Sequence, residues 1–243
     1  MNNKLVGLAG VAAAVGAALW GMAQMRAAAP AAASNDLSGM WQIATSITEL
    51  KTVAGQRPPL KPEALAEYEQ HIAAAQAGDR SWDPVSKCKP PGEPRTFMLE
   101  EPFELFVSET RSDFLFQWNR LDHAIPMLKE HGTQYGPFYF GESIGQWDGR
   151  TLSVDIINLK PNTFLDPSGL PHSDNLHLTE QFTLGADGNT LVALIHVDDP
   201  DVYTSAWDAQ LTFKRVSNQR IVEDVCMERL KLTNDYYMLD NAL

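Results

Sequence analysis

The feature that most constrains this chain is a period of two. In residues 207–213, Trp207, Ala209, Leu211 and Phe213 alternate with Asp208, Gln210 and Thr212. In 152–158, Leu152, Val154, Ile156 and Asn158 alternate with Ser153, Asp155 and Ile157. In 114–120, Phe114, Phe116, Trp118 and Arg120 share one parity, and Leu115, Gln117 and Asn119 the other. An extended backbone sends successive side chains to opposite faces, so each run predicts a strand with one buried side. The pattern delimits strands at 103–109, 114–121, 151–159, 176–184, 190–197, 206–216 and 220–230, with Asp36–Trp41 opening the folded part. Turn chemistry separates them at Thr110-Arg111-Ser112-Asp113, Asp148-Gly149 and Asp187-Gly188. Short strands joined by such turns point to an all-β fold, a closed or nearly closed antiparallel β-barrel or a sandwich.

Two segments depart from the period. Ala64, Leu65, Tyr68, Ile72 and Ala75 recur at helical spacing behind Pro62 and before Gly78, which predicts one accessory helix over 62–77. Residues 80–96 are Pro-rich and predict an ordered loop without regular structure.

The N-terminus has a different character. Lys4 precedes an apolar Ala/Gly-rich run from Leu5 to Met22, then Ala27–Ala29 and Ala31–Ala33. Residues 1–33 thus read as a cleaved signal peptide or an uncleaved inner-membrane anchor with an Ala-rich tether, and 34–243 as one barrel domain. Any membrane contact would run through that segment alone. The compartment implied is the periplasm or the exterior. There, an even cysteine count predicts a disulfide between Cys88 and Cys226. The net charge of −12, with no stretch dense in Lys and Arg, argues against nucleic acid as a partner.

Candidate chemistry gathers in Pro171-His172-Ser173-Asp174-Asn175-Leu176-His177-Leu178-Thr179-Glu180-Gln181-Phe182, which holds two of the six histidines. Strand parity puts Glu180 among the inward residues Leu176, Leu178 and Phe182, and His177 on the other face. A buried carboxylate is paired, protonated or functional, and Arg120 is the partner that parity offers. The candidate acid–base pool is His172, His177, Glu180, Asp155 and His123, because imidazole exchanges protons near neutrality. His71, His131 and His196 read as structural or exposed. Arg120, Phe114, Phe116, Trp118, Trp207 and Phe213 would line a pocket for a hydrophobic, aromatic small molecule. No metal is expected: His172 and Glu180 are roughly 25 Å apart along an extended chain, and His177 and Glu180 face opposite sides. Ser143 lies in Gly141-Glu142-Ser143-Ile144-Gly145, a Gly-x-Ser-x-Gly string. A nucleophile elbow needs a strand-to-helix turn, and Gln146-Trp147-Asp148-Gly149 reads as a strand end and a turn, so the match is taken as accidental.

The string Gly-Glu-Ser-Ile-Gly-Gln-Trp-Asp-Gly-Arg-Thr-Leu-Ser-Val-Asp from Gly141, with Thr163–Asp166, Pro171–Ser173 and Leu176-His177, resembles a group of exported, largely uncharacterised proteins of sphingomonads and acidobacteria. Asp36–Trp41, Cys88–Arg95, Asp198–Pro200, Tyr203-Thr204 and Val225-Cys226 fit the same group. The resemblance implies a lipocalin-like barrel and export, and attaches no settled activity. The chain departs from the group at 122–137, where an Asp-Gly-Arg-containing hairpin is usual. The functional expectation is a cofactor-independent lyase or isomerase using His/carboxylate chemistry. A carrier of apolar ligands is the alternative, and an envelope interaction module a third.

Overall fold

The computed structural model describes residues 37–132, 136–148 and 150–231. The expected signal or anchor at 1–33 lies outside them, as does Gly149. Nine strands form one antiparallel sheet: β1 Gly39–Ile43, β2 Phe103–Val107, β3 Arg111–Phe116, β4 Asp122–Pro126, β5 Glu142–Asp148, β6 Thr151–Ile157, β7 His177–Leu184, β8 Thr190–Asp198 and β9 Trp207–Arg215. Their order is β4-β3-β2-β1-β9-β8-β7-β6-β5, so consecutive strands pair except β4 with β5, and β1 pairs with β9. The two ends, β4 and β5, come together: a Cβ on Gly145 would stand 2.8 Å from Ile125 and Met127 side-chain atoms. The result is a nearly closed up-and-down barrel with one seam.

Parity and register set its inner wall. One row runs Ala209, Ile195, Glu180, Val154, Gly145, and the next Trp207, Val197, Leu178, Ile156, Ser143. The inward parity of 152–156, 176–182 and 207–213 holds in the structure.

The barrel is filled by the Pro-rich segment. Pro91–Met98 are all buried, and Arg95–Met98 form a 3-10 turn. The Phe97 ring sits 5.0–6.0 Å from the rings of Phe103, Phe114, Phe116, Phe182 and Phe213. Edge-on and tilted ring contacts of this kind are favourable. Buried Arg95 is held by Asp83 through paired bonds of 2.9 and 2.6 Å. Gly92 packs so closely on Thr163 that a Cβ would lie 2.8 Å from it, and its φ of +83° suits glycine.

Helix α1, Pro62–Gln76, packs through its buried Tyr68, whose hydroxyl donates to Asp166 (2.9 Å). That carboxylate also accepts from the backbone of Leu50, Ser168 and Leu170, so it ties three segments together. The expected disulfide joins Cys88 and Cys226, with Cα atoms 5.6 Å apart.

Three expectations need correction. The strand expected over 114–121 stops at Phe116. Trp118–Arg120 form a 3-10 turn in which Asn119 and Arg120 take φ of +48° and +53°, which breaks the alternation. The strand expected over 220–230 is irregular and then helical, α2 being Cys226–Lys231. The segment docks on the turn before β4 instead, where Asp224 accepts from the Asn119 backbone (2.5 Å). The first hairpin turns at 108–110, earlier than expected, because Ser108 bonds back to Arg111. Strands β4 and β5 were not expected as separate elements.

Candidate functional site

Three polar side chains from three elements meet inside the barrel at its seam. β4 points His123 inward, β5 points Ser143 inward, and the plugging segment brings Glu93. His123 Nε2 lies 2.8 Å from Ser143 Oγ, and its Nδ1 lies 3.1 Å from Glu93 Oε1. The Ser143 hydroxyl is also 3.2 Å from the Phe140 carbonyl oxygen. Phe140 stacks on the imidazole at 4.8 Å and 14°, and Phe114 approaches it at 6.4 Å. Relative exposure falls from 8% at Ser143 to 4% at His123 and 0% at Glu93, so all three are buried and the serine is the most exposed of them.

Burial decides the protonation. Desolvation lowers His123 from 6.5 to about 4, against the pull of Asp122 and Asp113. It holds Glu93 well above the usual carboxylate range. Glu180 is raised likewise, first by burial and then by the Glu93 charge. The resting cluster is therefore neutral. The Glu93 O–H then donates to Nδ1, Nε2–H donates to Ser143 Oγ, and the Ser143 O–H donates to the Phe140 carbonyl. Both Glu180 oxygens and the second Glu93 oxygen are buried with no protein partner. Unpartnered buried carboxyls are costly, and such groups concentrate at functional sites.

The expected pool is divided among three places. His123 and Glu180 are inside. His177 and Asp155 hydrogen-bond to each other on the outer face, half exposed, and His131 also donates to Asp155 (3.2 Å). His172 lies in the loop before β7. Its Nδ1–H donates to the Ser173 carbonyl (2.9 Å), its Nε2 meets Thr163 Oγ (2.8 Å), and burial lowers its pKa. Both of its nitrogens are committed to the loop. Arg120 is exposed on the 3-10 turn and does not pair with Glu180, contrary to expectation. Trp118 leaves the inner wall with that turn and lies under Arg229. Phe114, Phe116 and Phe213 do point inward, where they pack on Phe97. Trp207 is buried at the end of β9 beside Tyr203, with its indole N–H unpartnered. His71 stacks on Trp82, and His196 pairs with Asp208. Among the described residues no group of three or more His, Cys, Asp or Glu is arranged to hold a metal ion.

Sequence reading missed Glu93 altogether and set Ser143 aside. The elbow is indeed absent, since Ser143 is within β5. The one local signal was a lone carboxylate among prolines, Pro91-Gly92-Glu93-Pro94, in a segment that proves wholly buried.

No family model and no curated protein matches the chain. Among solved structures the chain is similar to a REP1-NXSQ fatty acid transporter, at 10% identity and a TM-score of 0.35, over 76% of this chain and 100% of that one.

Proposed function

We propose that this barrel is a cofactor-independent acid–base catalyst, a lyase or isomerase that moves a proton on a hydrophobic, aromatic small molecule. The reading rests on the continuous line Glu93–His123–Ser143 set among aromatic rings. His123 is the proton-transfer group, taking the role the sequence had offered to His172 or His177. Glu93 orients it and holds a proton beside Nδ1. Ser143, the most accessible of the three, exchanges protons with the substrate. Glu180, buried and unpaired, is a carboxylic acid able to donate to oxygen as negative charge develops there. The disulfide supports an oxidising, extracytoplasmic setting, and we place the protein in the periplasm or outside the cell. A carrier role draws on the same aromatic lining, but Phe97 in the middle of the barrel weighs against an open cup.

The test is proton exchange. Wild-type protein is incubated in D2O with a panel of aryl ketones and aryl-substituted hydroxy acids, and deuterium incorporation or elimination is followed by NMR. His123→Ala should lose about 100-fold or more of the rate, as removal of a general base does. His172→Ala and His177→Ala should keep theirs. A rate unchanged in His123→Ala would end the proposal.

A further inference from the structure

We infer that Ser143 is a nucleophile, and that the barrel forms and hydrolyses an acyl-Ser143 adduct with small, uncharged aromatic carboxylic esters. This goes beyond proton transfer and rests on the same reading of His123.

Serine, imidazole and carboxyl stand here in the order that activates a hydroxyl. The nucleophile lies within hydrogen-bond reach of the base (2.8 Å), and the base is oriented by a third group (3.1 Å). Such a constellation is recognised by geometry and role, and it recurs on unrelated folds. The elbow that the sequence lacks is one way to present a serine. An edge strand at a barrel seam is another. Among the described strands β5 pairs with β6 alone, so alternate N–H groups of its other edge face β4.

The substrate class follows from the surroundings. Phe140 and Phe114 lie against the imidazole and Phe116 stacks on Phe140, which favours an aromatic acyl group. Glu93 and Glu180 are both carboxyls, and Asp113 and Asp122 also bear on His123, which disfavours an anionic ester. Ser143 Oγ bonds to the ester carbonyl carbon while its proton passes to His123 Nε2. The bond from that carbon to the alkoxy oxygen breaks, and Nε2 returns the proton to the departing alcohol. Water repeats the sequence, giving a carboxylic acid and restoring Ser143. No oxidant or reductant is needed. The step requires Nε2 to be bare, so Nδ1–H must face an ionised Glu93. Acylation should therefore quicken as pH rises.

The experiment treats the full chain with an alkyl fluorophosphonate and locates the adduct by intact-mass and peptide spectrometry. A single adduct on Ser143 is expected, forming faster at about pH 9 than at about pH 6. His123→Ala should slow it about 100-fold or more, and Glu93→Gln should flatten the pH profile. Ser143→Ala should lose the adduct. Ser143→Cys, checked for native circular dichroism, should instead be alkylated by iodoacetamide in a His123-dependent way. No adduct on the folded protein, an adduct elsewhere, or labelling indifferent to His123 would overturn the inference. His123-dependent deuterium exchange in a wild type that takes no label would end this inference and leave the acid–base reading standing. An adduct without any His123-dependent exchange would do the reverse.

Discussion

At the scale of single residues, the interior cluster makes stability depend on pH in two opposed ways. His123 is lowered from 6.5 to about 4 by burial, so the unfolded chain binds its proton more readily. Its contribution is full above pH 6.5 and is lost as pH falls through about 4. The shift corresponds to about 3 kcal/mol. Glu93 and Glu180 act with the opposite sign. Their folded pKa values are raised, so the stability they contribute is full below the unfolded carboxylate range and declines as pH rises towards the raised values. Where the two effects overlap, two carboxyls outweigh one histidine, so urea denaturation across a pH series should show stability falling as pH rises above the ordinary carboxylate range. Glu180→Gln removes one ionisation, and its alkaline decline should be visibly shallower than that of wild type. An identical decline in both proteins would mean that Glu180 ionises in the folded protein as it does in the unfolded chain, and that burial does not hold its proton.

At the scale of elements, the plugging segment is the part on which both core and site depend. Phe97 stands among five other phenylalanines, and Phe97→Ala should cost about 3–5 kcal/mol by thermal or chemical denaturation. Arg95→Leu removes the paired bonds to buried Asp83 and leaves it only the longer contact with Arg80 (4.0 Å) and the Val85 backbone N–H, and a loss of about 3 kcal/mol is expected there. The strands were legible because alternation is local: the inward parity of Leu178, Glu180 and Phe182 needs no knowledge of the rest of the chain. The 3-10 turn at Trp118–Arg120 was not legible, since two left-handed residues that are not glycine leave no mark in a period-two pattern. Nor was the plug. Prolines remove the periodic signal, and the burial of Pro91–Met98 is created by the barrel around it. The same applies to the site. Glu93, His123 and Ser143 are separated by 30 and 20 residues and share no motif. Only closure of the seam between β4 and β5 brings them together. His172 and His177 attracted notice because they are neighbours in sequence, but the barrel wall and the loop before β7 put them in different environments.

At the scale of the whole molecule, the disulfide is the constraint that links stability to the site. Cys88 and Cys226 are 138 residues apart, and a crosslink closing a loop of that size contributes about 5 kcal/mol in the chain-entropy model. It acts at two particular ends. Cys88 leads directly into Pro91–Met98, which carries Glu93 and Phe97. Cys226 begins α2, whose preceding residue pairs, Asp224 with Asn119 and Cys226 N–H with the Asn119 side chain, dock it on the turn before β4. β4 in turn carries His123. Reduction therefore loosens the two segments that bring the imidazole and its carboxyl together, while the ladder from β6 to β9 keeps its own hydrogen bonds. Hydrogen exchange before and after treatment with dithiothreitol should show amides of 84–98 and 226–231 losing protection well before those of β7 and β8. His123-dependent proton transfer should decline in step with the first group and ahead of global unfolding. Activity that instead persists until β7 and β8 open would mean that the plug holds Glu93 in place without its crosslink. The disulfide would then serve stability alone.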